Sequence, residues 1–252
     1  MKSLARIFMS LGAGALVLSL AAAPNSAFAA ASINSCRVLS APGSYVLTAD
    51  IINPVIPSSA YCIQATADRV TLDLGGRTIQ SSGTRGVAIR GANSFAVRNG
   101  TIKGFDQAVL TGGHATIENL VIDGSNRGLY VFHGRIQGNT IVNVKDGIMF
   151  FGPTIATDNF VRTATNATNG MLGSPNIDNG ASIVLRNAIL GGSGALRGVR
   201  LLADGGLIAN NIVRNFIQES LRANCPSLIV GNMLAASALG SGQCNSVDNV
   251  LQ

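Results

Sequence analysis

The sequence is poor in several residue types that common folds and sites require. Its 252 residues include no Trp, three Tyr and two His, and charged residues make up only 12%. Saccharide sites usually stack sugar rings on aromatic side chains, so this scarcity weakens a sugar-binding interpretation. Basic residues form no runs, which argues against nucleic acid, while the mild net charge of +6 suits an anionic partner such as a uronate polysaccharide.

Long apolar runs are absent except at the beginning of the chain. Lys2 and Arg6 precede an apolar stretch of small residues over 7–23, and Ala27-Phe28-Ala29 fits the small-x-small pattern before a signal-peptidase cut. We therefore predict a signal peptide over 1–29, a periplasmic or secreted protein, and no membrane span after cleavage. An uncleaved anchor is the alternative, and the short apolar stretch argues against it.

Asn and Gly recur at a regular spacing along the rest of the chain. One line places Asn before short apolar segments in steps of 20, 20, 20, 28, 24, 21 and 17 residues, at Asn99, Asn119, Asn139, Asn159, Asn187, Asn211, Asn232 and Asn249. A second line places a small residue before an apolar one at Gly86, Ala108, Gly128, Gly147, Gly170, Gly198 and Ser220. Two lines that share one drifting period of about 20 residues predict a solenoid.

The local pattern decides which kind of solenoid is expected. No segment keeps a helical apolar period for three turns, and the apolar runs are short, rich in Val, Ile and Leu, and broken by Gly and Asn. A leucine-rich repeat would need a regular leucine framework that is missing. A parallel β-helix remains, in which Asn99, Asn119, Asn139 and Asn159 form a ladder at one bend, because Asn tolerates left-handed backbone and stacks amide to amide.

Four cysteines follow the predicted cleavage site, at Cys36, Cys62, Cys225 and Cys244. An even number in an exported chain favours disulfides over a metal site or free thiols. Cys225 and Cys244 precede consecutive strands of the Asn line by similar distances, and Cys36 and Cys62 flank the first extended stretch. We predict the pairs Cys36–Cys62 and Cys225–Cys244, one at each end of the solenoid.

Three segments carry a resemblance to a known group of proteins: "GSYVLTADI" (43–51), "CIQATADRVTLDLGGRTIQ" (62–80) and "NGTIKGF" (99–105). With the Asn and small-residue lines, they resemble bacterial exported proteins of the pectate-lyase-like class. The resemblance implies an all-β, single-domain, right-handed parallel β-helix solenoid. We expect an N-terminal cap and first coil over 30–69 and further coils over 70–252. The class includes lyases, hydrolases, epimerases, accessory proteins for metal-site assembly and proteins with no known reaction, so the fold does not decide the reaction.

The function expected from the resemblance is binding or turnover of polysaccharide, with a lyase or epimerase of acidic glycans as the most specific form. A lyase of this kind needs a base near the sugar C5 proton and positive charge for the carboxylate. The alternative is a non-catalytic exported scaffold or adhesin-like module. Converging charged residues would favour the enzyme, and evenly scattered charges would favour the scaffold.

Stacking of successive coils predicts one charged side. Lys103, Arg127 and Lys145 are candidates for the base or for a carboxylate clamp. Three aspartates are candidates for holding a divalent cation such as calcium: Asp106, Asp123 and Asp146. The alternative is a solvated edge on which opposite charges relieve one another.

Other candidates rest on single features of the sequence. His114 and His133 lie nearly one coil apart, so they are expected to be neighbours along the axis, and His133 is a candidate proton carrier. Tyr130 and Arg162 are candidates for substrate binding. The coil with the 28-residue step contains the polar segment 163–180, which we predict to be a loop beside the site.

Overall fold

The computed structural model describes residues 29–56, 60–83, 85–174, 180–202, 205–235 and 244–251. The predicted signal peptide, 1–29, lies outside these residues except for its last position. Within the described ranges the chain is all β, without a helix, and every strand pairing is parallel. The predicted all-β parallel solenoid with a single domain is therefore confirmed, and its right-handed sense stays a prediction. No described helix is long and apolar enough to span a membrane.

Each full coil has three short strands, which form three faces along the solenoid. Face A is a nine-stranded sheet. Its strands are β2 (Arg37–Leu39), β5 (Tyr61–Ala65), β8 (Val87–Gly91), β10 (Gln107–Thr111), β12 (Arg127–Val131), β15 (Asp146–Phe150), β18 (Asn169–Gly173), β21 (Arg197–Leu201) and β24 (Glu219–Ala223).

Faces B and C share a 19-stranded sheet that bends around each coil. Face B holds β1 (Ala31–Ile33), β3 (Gly43–Leu47), β6 (Val70–Asp73), β9 (Phe95–Lys103), β11 (His114–Asp123), β13 (His133–Gln137), β16 (Thr154–Thr157), β19 (Ile183–Leu185), β22 (Leu207–Ala209), β25 (Leu228–Val230) and β27 (Asn245–Val247). Face C holds β4 (Ile51–Ile52), β7 (Thr78–Gln80), the second halves of β9 and β11, β14 (Thr140–Val144), β17 (Phe160–Thr163), β20 (Ala188–Leu190), β23 (Ile212–Arg214), β26 (Met233–Leu234) and β28 (Val250–Leu251).

The core is made of aliphatic columns, one inside each face. On face A the third strand residue is buried in every coil from β5 to β24, and register pairing aligns these residues as Ile63, Ile89, Val109, Leu129, Ile148, Met171, Val199 and Leu221. Because successive coils repeat the same apolar position, each side chain packs on its counterparts above and below. This alignment explains why the sequence needs only short apolar segments to build a continuous core.

The small-residue line marks the second position of the face A strands, as predicted from Ala108 onward. A Cβ atom on Gly128 would lie 2.5 Å from the carbonyl oxygen of Gly147, and one on Gly198 would lie 2.3 Å from that of Ser220. Larger side chains would therefore collide with the next coil. Gly86 was assigned wrongly to this line, because the register of β8 with β10 places Ala88 at the equivalent position.

The asparagine line divides into two adjacent positions of one bend between faces B and C. Asn139, Asn159, Asn187, Asn211, Asn232 and Asn249 form a ladder in which each Nδ2 donates to the Oδ1 of the next, at 2.9–3.0 Å. Asn99 and Asn119 precede the equivalent position by one residue and have left-handed φ of 59° and 53°. The predicted ladder of Asn99, Asn119, Asn139 and Asn159 was therefore wrong for its first two members.

Both predicted disulfides are confirmed, Cys36–Cys62 and Cys225–Cys244. Cys36–Cys62 links the coil of β2 to that of β5 at one end, and Cys225–Cys244 links the coil of β24 to the last described coil at the other. Disulfides of this kind indicate an oxidising compartment. The predicted loop 163–180 was too broad, because Asn169–Gly173 forms the face A strand β18; residues 175–179 lie outside the described residues.

Candidate functional site

An open groove of about 420 Å³ lies on the outer side of face A. It crosses the coils of β8, β10 and β12, and its lining residues are Arg90, Gln107, Leu110, Thr111, Gly112, Arg127, Tyr130 and Phe132. Three of them, Arg90, Leu110 and Tyr130, are direct register neighbours at the fourth position of their strands. Because strand side chains alternate, the buried third and fifth positions leave the fourth on the outer surface. The groove floor is thus a property of the repeat.

Aromatic side chains form one wall of this groove. The rings of Tyr130 and Phe132 lie 6.1 Å apart between centroids, and Phe151 from the next coil lies 4.5 Å from Tyr130 and 5.6 Å from Phe132. All three residues are half-buried, so part of each remains accessible. Three of the twelve Phe and Tyr residues of the sequence therefore form this wall. Such a wall suits the face of a sugar ring.

Positive charge lies across the floor from that wall. Arg90 donates from Nη1 to Oη of Tyr61 at 2.6 Å, and its guanidinium stacks 4.8 Å from the Tyr61 ring centroid. These two contacts fix the position of its charge. Arg127 is exposed at the beginning of β12. Two guanidinium groups in one groove can hold carboxylates bidentately.

Two polar atoms of the lining have no hydrogen-bond partner among the described residues. They are Oε1 of Gln107 and Oγ1 of Thr111, both buried. Buried polar atoms are usually paired, so unpaired ones in a groove point to a ligand or water that completes them. Thr111 is fully buried at the inward fifth position of β10, so its Oγ1 faces the core, whereas Gln107 at the beginning of that strand is only half-buried. A hydroxyl-rich ligand would supply the missing donor to Oε1 of Gln107.

A second hollow of about 370 Å³ continues the groove toward the N-terminus. It shares Arg90 and Gly112 with the first and is bordered by Gln64, Asp68 and Asn93. Together the two hollows extend from the coil of β5 to that of β12. An elongated ligand lying along the solenoid axis fits this shape better than a compact one.

Among the residues predicted from the sequence, the structure places Arg127 and Tyr130 in the groove. Lys103 and Asp123 are register partners at the end of face C, before the bend that leads into face A. Lys145 is exposed beside that bend and does not line the groove. The predicted charged side is therefore an edge between two faces, and only part of it reaches the groove.

The three aspartates proposed as cation ligands are not brought together. Each accepts a hydrogen bond from an asparagine of the next coil: Asp106 from Asn126 at 2.9 Å, Asp123 from Asn143 at 2.8 Å and Asp146 from Asn169 at 2.9 Å. No three His, Cys, Asp or Glu side chains converge anywhere in the described ranges. The aspartates therefore link adjacent coils.

The remaining candidates lie away from the groove floor. His114 and His133 are register partners, as expected, with ring centroids 5.2 Å apart at the beginning of their face B strands. Arg162 lies on face C, in register with Val142 and Leu190, so it cannot share a ligand with Tyr130 across face A. The position of His133 next to Phe132 brings it near the wall of the groove but not into the lining.

Sequence reasoning missed Arg90, Leu110, Thr111 and Phe132. The signal that would have found Arg90 and Leu110 is their place two residues after the small residue of each face A strand. This rule selects Arg90, Leu110 and Tyr130 together once Ala88 is aligned correctly.

No family model matches the chain, and no curated protein or solved structure matches it. The candidate site is therefore described by its own geometry.

Proposed function

We propose that this protein is an exported β-helix protein of the pectate-lyase-like class that binds an acidic oligosaccharide in the face A groove. The observation that carries the proposal is the pairing of an aromatic wall with two arginines, Arg90 and Arg127, in one elongated groove. Sugar rings would pack on Tyr130 and Phe132, uronate carboxylates would pair with the arginines, and a sugar hydroxyl would donate to Oε1 of Gln107. The disulfides support a periplasmic or secreted location.

Binding is proposed ahead of turnover because the lining of the first hollow contains no histidine or carboxylate that could serve as a conventional base. Asp68 borders the second hollow, whose lining includes neither Arg127 nor Tyr130. In a lyase or epimerase at this groove, Arg127 would be the group that removes the C5 proton. Lys103, Lys145 and His133 lie outside the lining.

Calorimetric titration of the mature protein with uronate oligosaccharides, and with neutral ones of equal length, tests the proposal. We expect uronates to bind and neutral sugars to bind at least about tenfold more weakly, because each lost charge-assisted hydrogen bond is worth about one factor of ten. Arg127→Gln and Tyr130→Ala should each weaken uronate binding by about tenfold. Arg162→Gln removes the same charge from face C and is the matched control.

Absorbance of the unsaturated product in the same samples separates binding from lyase activity. Binding without product would support the proposed function, and product that disappears in Arg127→Gln would extend it to a lyase. Equal affinity for charged and neutral sugars, or equal losses in Arg127→Gln and Arg162→Gln, would contradict the proposed groove.

A further inference from the structure

Three arginines surround one glutamate on face A, several coils beyond the groove. Arg197 and Arg200 lie on β21, and Glu219 and Arg222 lie on β24. Parallel pairing puts Arg197 opposite Glu219 and Arg200 directly opposite Arg222. We call these four residues the arginine cluster. Two like charges placed directly opposite each other repel, so the pairing of Arg200 with Arg222 is unfavourable unless an anion offsets it.

Glu219 offsets the positive charge only in part. Its carboxylate oxygens lie 4.0 Å from Nε of Arg197, 3.6 Å from Nε of Arg200 and 3.8 Å from Nη1 of Arg222. These distances are longer than hydrogen bonds. Nε of Arg197, Nε of Arg200 and Oε2 of Glu219 are buried and have no hydrogen-bond partner among the described residues. The cluster thus has unused donors as well as unused charge.

The cluster is also partly withdrawn from solvent. The side chains of Arg200 and Glu219 are only 18% and 17% exposed, while that of Arg222 is 39% exposed. Burial lowers the pKa of Arg200, the Glu219 carboxylate raises it, and the charges of Arg197 and Arg222 lower it further. Partly buried cations with weak screening favour a bound counter-ion.

We propose that the arginine cluster binds an oxyanion group of the sulfate or phosphate type. The cluster carries three guanidinium groups and one carboxylate, which leaves two positive charges for the ligand to neutralise. A tetrahedral oxyanion offers several acceptor oxygens to donors that converge from different directions. The site shares no residue with the groove and does not rest on the proposed function.

Titration with sodium sulfate or phosphate, with chloride used to hold the ionic strength constant, tests the site directly. We expect saturable binding of one anion per chain. Arg200→Gln and Arg222→Gln should each weaken it by about tenfold or more, since hydrogen bonds to charged groups are the strong ones. Arg135→Gln removes an exposed charge from face B and should leave binding unchanged. Absence of saturation, or an equal loss in Arg135→Gln, would overturn the proposal.

A competition arm identifies the source of the anion. A sulfated oligosaccharide that displaces inorganic sulfate, while its desulfated form does not, would assign the site to a sulfate ester. If neither sugar displaces sulfate, the site holds a free inorganic anion. Displacement by the desulfated sugar alone would overturn an oxyanion site.

Glu219→Gln separates a binding site from a purely structural ion cluster. Removing the carboxylate raises the excess charge to three, so sulfate should bind several-fold more tightly and should raise the melting temperature more than in the wild type. A structural cluster would instead lose stability that sulfate does not restore. Weaker sulfate binding in Glu219→Gln would contradict the proposal even if Arg200→Gln fails to fold.

Discussion

The two halves of the solenoid carry different residues at the bend between faces B and C. In the coils up to residue 137 the position at this bend holds Gly100 and Leu120, both buried. From residue 138 onward it holds the six asparagines of the ladder. The two halves meet where the backbone N–H of Leu120 donates to Oδ1 of Asn139 at 3.0 Å. The same backbone path therefore accepts either an aliphatic or an amide interior.

The outward residues of face B also differ in polarity between the two halves, but here the second half is the more apolar one. In the first half the position of Arg135 holds Thr71, Ala96 and Thr116 in the earlier coils. In the next four coils the residues in register with Arg135 are aliphatic, namely Ile155, Ile183, Leu207 and Leu228, and Asn245 follows in the last described coil. The second half thus buries polar amides and exposes aliphatic side chains. The comparison teaches that parallel backbone pairing defines this fold and that polar groups are tolerated inside once every amide is paired.

The largest effect is expected from breaking the ladder. Asn187→Ala removes the acceptor of the N–H and Nδ2 of Asn159 and the donor to the carbonyl of Ala156. Because these groups are buried, we expect a loss of about 4 kcal/mol in the free energy of unfolding. Asn119→Ala, at the exposed left-handed position of the first half, should cost about 1 kcal/mol. Denaturant titration compares the two variants, and equal losses would show that the ladder does not distinguish the halves.

A smaller effect is expected from removing the disulfide at either end of the solenoid. Replacing both cysteines of one disulfide by alanine should cost about 3 kcal/mol in each half. The sequence separations of 26 and 19 residues give nearly equal contributions, because loop-closure entropy varies only logarithmically with loop length. Thermal unfolding of the two double variants measures this. A loss confined to one end would show that the halves unfold separately.

The smallest effect concerns pH and compares one aspartate from each half. Burial alone would raise the pKa of Asp73, but hydrogen bonds from Gly75, Arg98 and Asn99 lower it below 3.8. The hydrogen bond from Arg186 lowers the pKa of Asp158 in the same way. A depressed folded pKa stabilises the protein above the unfolded pKa, and this stability is lost as the pH falls through the folded pKa.

Both side chains are solvent-exposed enough that each contribution should stay below about 1 kcal/mol. Asp73→Asn and Asp158→Asn should therefore reduce the loss of stability between neutral and acid pH by similar small amounts. Denaturation midpoints at neutral pH and below pH 3.8 provide the measurement. A steeper pH dependence in either variant would contradict the assigned contacts.

The fold was predictable from the sequence because a solenoid repeats its core positions at a visible period. The exact position of the asparagine line was not, because Asn is suited to two adjacent places. Asn119 occupies the left-handed one and Asn139 the buried one, and their spacing of 20 residues fits either register.

The candidate site was predictable only where a residue stood out by type. Tyr130 and Arg127 were predicted from the sequence, but Arg90 was missed. Gly86 was aligned instead of Ala88 with the small-residue line, which shifts the outward position of β8 away from Arg90. Which faces Lys103 and Arg162 occupy depends on where each coil turns, and the spacing of the repeat does not specify that. The arginine cluster depends on the pairing of β21 with β24, which becomes visible only in three dimensions.

The asparagine ladder also bears on how such a chain could change its length during evolution. Each inner asparagine of the ladder accepts hydrogen bonds at Oδ1 from the asparagine of the coil before it. Its own backbone N–H and Nδ2 donate to Oδ1 of the asparagine in the coil after it. A duplicated segment that carries one asparagine would therefore fit between Asn187 and Asn211 without leaving an unpaired amide. In the first half a Cβ atom at Gly100 would lie 2.3 Å from Cβ of Leu74, so the side chains of neighbouring coils must match in size and a duplication would change the packing. We therefore expect lineages of this protein to gain or lose coils in the second half.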